Sequence, residues 1–115
     1  MRRITLACCL LLGSVSMRCS KAIIDERDVL PIEEVVTYRS DVQGIILSYC
    51  TTCHGKVTPS DGLDLTTLEG VKYAVENRNL LERINSSANP MPQNGLMPTE
   101  LRLKIQKWVD DGFPE

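Results

Sequence analysis

Cys50, Cys53 and His54 stand together in "SYCTTCHGKV", two thiols three positions apart with an imidazole directly after the second. His54 is the sole histidine of the 115-residue chain. Three chemistries use these residue types. A dithiol can cycle to a disulfide, as in C-x-x-C redox proteins. Two thiolates and an imidazole can supply three of the four ligands of a zinc site. Two thiols at this spacing can also form thioethers with the two vinyl groups on one edge of a porphyrin, while the next histidine binds its iron. The elements that carry the triplet decide among them.

Tyr38, Val42, Ile45, Ile46 and Tyr49 recur with the period of one helical face. That helix runs straight into Cys50, and Ser40 or Asp41 is the expected cap of its first turn. A second helix is expected over residues 66–77, with a further turn over 80–84. The third carries the stripe Leu101, Ile105, Trp108 and Val109, with Thr99 as its cap and Gly112 and Pro114 as its stop. "NSSANPMPQNGLMP" lies between the last two and is loop by composition. No alternating apolar and polar run of strand length is present. The expected architecture is all-α, three main helices with long loops. The length allows one domain. Only 4% of the chain is aromatic, so a core this small is expected to hold something besides side chains.

The first residues serve a different purpose. Arg2 and Arg3 precede an apolar run over residues 4–15, and small residues Ser14 and Ser16 at its end offer an A-x-A-like cleavage point. Residues 1–18 therefore read as a secretory signal peptide, with Cys8 and Cys9 as ordinary small apolar members of it. Cys19 has two readings. It is the lipidated first residue of a mature, membrane-tethered protein, or a leftover exported thiol after cleavage behind Ser16. Arg18 departs from the small residue usual before a lipidated cysteine. Residues 19–36 read as a flexible linker and 37–115 as the domain. From Cys19 onward ten Lys/Arg face fifteen Asp/Glu, a net charge near −5, so no basic field invites nucleic acid. The expected location is outside the cytoplasmic membrane, periplasmic or lipid-anchored.

With the elements placed, two chemistries fall away. A redox dithiol wants C-x-x-C at the start of a helix after a strand; here the pair follows a helix and strands are missing. A structural zinc site wants four ligands, typically from two clusters; beyond the triplet only Cys19, in the linker, is left. C-x-x-C-H is the attachment signal of c-type haem, and the export signal agrees with it. One covalent haem c is the expected cofactor.

"CTTCHG", "GLDLTTLEG" at 62–70, "MPQNG" and "LRLKIQKWVDDGFPE" together resemble the mono-haem class I-like cytochrome c domains of exported bacterial proteins. The resemblance covers nearly all of residues 38–115. It implies a cytochrome c-like fold in which helices wrap the haem and the first and last pack against each other near its edge. Carried over by position, Cys50 and Cys53 are the attachment cysteines, His54 the proximal iron ligand and Met91 the distal one. Tyr49 and Trp108 are core packing. "MPQ" stands where the family often has M-P-P, a change expected to alter loop stiffness more than ligation. With no large domain after the last helix, the expectation is a free or tethered carrier, or a small subunit.

The function implied is single-electron transfer in the cell envelope, with redox proteins as partners and no catalysis. A Met/His ligand pair favours Fe(II) and raises the potential relative to harder ligation. Two other classes remain at this point: a haem enzyme or gas sensor with an open distal position, and a haem-bearing subunit of a larger redox complex. With one histidine, bis-histidine ligation within the chain is impossible. Met91 and Met97 are the sulfur candidates, with lysines as a weaker alternative. Met91 lies between Pro90 and Pro92, which fix φ and stiffen its loop; Met97 precedes the last helix, where an apolar side chain tends to pack on the first turn. The carbonyl expected to orient His54 is that of Pro59 or another loop residue.

Overall fold

Thr37 sets the start of the first helix. Its Oγ1 accepts the Ser40 N–H (3.4 Å), and the Asp41 carboxylate accepts the N–H of Thr37 in return (3.0 Å). The exchange is a displaced capping box. Thr37 is thus the N-cap, and Asp41 reciprocates one position later than in the usual motif; neither Ser40 nor Asp41 caps by itself. The offset comes from a π-helical turn, Tyr38–Val42, in which the Thr37 carbonyl accepts the N–H of both Asp41 (3.1 Å) and Val42 (3.3 Å). The turn passes directly into α1, Gln43–Tyr49. The computed structural model describes residues 31–115. The signal segment, Cys19 and most of the linker lie outside the described residues.

α2 is Leu68–Asn77, starting two residues later than its pattern suggested because Thr67 serves as N-cap and accepts the Gly70 N–H at 3.0 Å. α3, Leu80–Asn85, is the anticipated extra turn. α4 is Thr99–Asp110, and here the expected cap is wrong. Pro98 occupies the N-cap position, whereas the Thr99 hydroxyl accepts from Arg102 at 2.9 Å. The C-terminal stop holds. Gly112, at φ +83°, donates to the Val109 carbonyl and Phe113 to that of Trp108. These two bonds make a Schellman motif, and the Phe113 ring packs edge-on to Trp108 at 4.9 Å as its apolar contact.

The core gathers on Trp108, which is fully buried. Tyr38 packs on its indole at 5.6 Å between centroids, so the first and last helical segments meet there. The Pro114 carbonyl closes the contact by accepting both the Tyr38 N–H and the Trp108 Nε1–H, each at 2.9 Å. Ile46, Ile105, Val42 and Val71 complete its centre, and α3 adds Leu80 and Ile84. Val36 is buried in the same core and Ile32 packs against it, so the packed chain begins before residue 37. The protein is helical, with four α-helices and no strand among the described residues. None of the described helices is long and apolar enough to cross a membrane.

Candidate functional site

The end of α1 builds the site. Beyond Tyr49 the chain stays curled: Cys50 N–H donates to Ile46 O at 2.9 Å, Cys53 N–H to Cys50 O at 3.2 Å and His54 N–H to the same oxygen at 2.9 Å. Both thiols and the imidazole therefore hang from one turn at the carbonyl end of a helix. Gly55 follows out of necessity, because a Cβ there would lie 2.8 Å from the Thr51 carbonyl oxygen. The chain then loops out and returns along the turn. Ser60 N–H donates to Cys53 O (2.8 Å) and Leu65 N–H to His54 O (2.9 Å).

The returning segment also holds the imidazole. His54 Nδ1 faces two carbonyl oxygens, Ser60 at 3.1 Å and Leu63 at 3.2 Å. Both can only accept, so Nδ1 carries the proton and the lone pair of the neutral ring is on Nε2. The orienting groups are thus Ser60, the first residue of a one-turn 3₁₀ segment, Ser60–Gly62, and Leu63, the residue just after it, and not Pro59. That segment is braced twice. Arg78 at the end of α2 pairs with Asp61, and Gly70 in α2 lies against Asp64, where a Cβ would clash with the backbone carbonyl oxygen. Asp64 and Gly70 stand within the "GLDLTTLEG" stretch, whereas nothing in the sequence singles out Asp61 or Arg78. Gly70 in the first turn of a helix, where propensity disfavours it, is the residue-level signal of this close approach.

Electrostatics separate the two cysteines. Burial pushes the Cys50 thiol up to about 11, and Cys50 packs against the core, whereas Cys53 is exposed. A redox dithiol needs the opposite, a thiol whose pKa is lowered at a helix N-terminus. Nor do the described residues gather three or more His, Cys, Asp or Glu side chains as a metal cluster would require. Cys50, Cys53 and His54 share a turn without converging on a point between them.

The two methionines occupy different environments. Met97 is 3% exposed and belongs to the core. Met91 is half-buried, outside that core, on the segment joining α3 to α4, and its N–H donates to Arg83 O at 3.0 Å. Exposed apolar side chains flank both parts of the site. Leu47 and Tyr49 precede Cys50, Val57 follows His54 at 84% exposure, and Leu96 shares the segment of Met91. The donors are two free thiols, one imidazole nitrogen with its lone pair available and one thioether outside the core. They fit an apolar, thioether-linked ring with an axial metal better than a bare ion. Comparison with protein-family models, curated proteins and solved structures finds no match to the chain.

Proposed function

We propose that this chain is a haem c-binding electron-transfer protein of the cell envelope, a cytochrome c-like carrier rather than an enzyme. The observation that carries the reading is the state of His54. Its Nδ1–H is spent on the Ser60 and Leu63 carbonyls, which leaves Nε2 as a donor held in one orientation directly after two thiols. When bound, the haem would supply a one-electron Fe(III)/Fe(II) couple. Cys50 and Cys53 would hold it through thioether bonds. His54 and Met91 would ligate its iron.

The residues then divide the work. The two carbonyls behind His54 strengthen the imidazole as a donor and keep it from rotating. The Met91 thioether favours the reduced iron and so sets a relatively high potential. Leu47, Tyr49, Val57 and Leu96 would give apolar cover and keep water from the site. Export through residues 1–18 would place the protein among redox partners outside the cytoplasmic membrane, free or tethered through Cys19.

The test is an intact mass and an absorption spectrum of the exported protein. The mass should exceed that of the processed chain by one haem, and the spectrum should be six-coordinate and low-spin in both oxidation states. A five-coordinate high-spin spectrum would instead indicate an open distal position and a ligand-binding or catalytic role. A chain without covalent haem would end the proposal.

A further inference from the structure

Arg102 is only 9% exposed, and it is the one buried charged residue among those described. Among the described residues its partners include no carboxylate. Nε donates to the Met97 carbonyl (3.1 Å), one terminal nitrogen to Asn85 Oδ1 (2.6 Å) and the other to Thr99 Oγ1 (2.9 Å). A guanidinium buried among neutral acceptors is an expensive way to fill a helix face, and an apolar side chain commonly serves stability as well or better. The identity of the three acceptors points to a use. Asn85 is the last residue of α3, and Met97 and Thr99 flank the start of α4. The two ends of the connecting segment, residues 86–98, are thus joined through one planar group whose fork fixes their separation. Met91 lies inside that segment.

We propose that Arg102 is the positioning residue of the segment that carries the distal ligand. It clamps both ends of the segment, while the Met91 N–H bond to Arg83 O fixes the middle against α3. The inference rests on the reading of Met91 as an iron ligand. A thioether binds Fe(III) weakly, so it competes with external ligands only if its segment is already ordered. Arg102 does that ordering from the side of α4, without contact with the metal.

The experiment titrates the oxidised, haem-loaded full chain with imidazole and follows the far-red sulfur-to-iron(III) band. In Arg102→Met the half-saturating imidazole concentration should fall roughly tenfold, the scale of a lost hydrogen bond to a charged group. Arg102→Lys, which keeps the charge and loses the fork, should fall between that variant and the natural chain. Val71→Ala, a core truncation in α2, should lower the melting temperature and leave the titration unchanged. If Arg102→Met does not accumulate, Asn85→Ala removes one arm of the clamp and should shift the titration in the same direction by less. An Arg102→Met or Asn85→Ala protein that titrates like the natural chain overturns the positioning role. So does a Val71→Ala protein that shifts as far as Arg102→Met, since general loosening would then explain the effect. Absence of covalent haem from the natural chain is a different failure, of the electron-transfer reading itself.

Discussion

At the scale of single residues, burial assigns opposite duties to the two methionines and the two cysteines. Met97 fills the core, so Met97→Ala should lower unfolding stability by about 2–5 kcal/mol, the usual cost of a buried methionine truncated to alanine. It should nonetheless keep the sulfur-to-iron(III) band. Met91→Ala should do the reverse, abolishing the band with a smaller loss measured by denaturant unfolding. A band lost only in Met97→Ala would transfer the ligand role to the core methionine. The cysteines differ through burial. With its thiol pushed up to about 11, Cys50 is almost wholly protonated near neutral pH, and only the thiolate attacks an alkylating agent. In the haem-free chain iodoacetamide should modify Cys53 well before Cys50, with the Cys50 rate climbing as pH rises toward 11. Equal rates, read by mass spectrometry of the peptides, would mean that the packing around Cys50 is wrong.

Helices were the legible part of the sequence, and their ends were not. Tyr38, Val42, Ile45, Ile46, Ile105 and Trp108 are buried as their spacing required, but Tyr49, at the end of the first stripe, is 38% exposed rather than core packing, and Leu101 and Val109 are only half-buried. Caps depend on which neighbour reaches an oxygen first. Thr99 lost its capping role because a buried guanidinium takes its hydroxyl, and Arg102 itself lies three residues before Ile105 on the buried face, where its charge disguised it. That Cys50, Cys53 and His54 share one turn was readable from their spacing, whereas the Ser60 and Leu63 carbonyls were not, because a backbone acceptor carries no sequence identity. Two changes test the elements. Gly70→Ala would force a Cβ against the Asp64 backbone, so it should destabilise by about 1–3 kcal/mol or more, as overpacking does. An unchanged melting temperature would refute that close approach. Asp41 tests the cap of the first helix. The Thr37 N–H, and after it the Lys104 ammonium at 3.2 Å, hold its carboxyl below the ordinary 3.8. A depressed folded-state pKa contributes stability above 3.8 that is lost as pH falls through the lower, folded value. Asp41→Asn should therefore flatten the acid side of a stability-against-pH curve, and an equally steep acid loss in the variant would remove Asp41 from the account.

At the scale of the whole molecule, the question is how much of the fold the chain can hold by itself. One part is self-sufficient in its contacts. The Pro114 carbonyl, Tyr38 and Trp108 lock the first and last helical segments, and the Schellman turn directs Phe113 back onto the same indole. Other apolar residues stay outside that core: Leu47, Tyr49 and Val57 are exposed in the stretch around Cys50–His54 and Leu96 on the segment of Met91, as Val35 and Tyr73 are elsewhere. A domain of roughly this size draws only a few kcal/mol from its side-chain core, and small domains commonly need a staple. If a covalently held haem supplies that staple, Cys50→Ala/Cys53→Ala should lose more than colour. Its melting temperature should fall sharply or its transition broaden, and it should bind a dye that reports exposed apolar surface. Residual near-ultraviolet circular dichroism from Trp108 would then mark the half that holds alone. A double variant that melted cooperatively at the natural temperature, with no haem and no dye bound, would show that the side-chain core suffices and that the apolar residues around the site have another cause.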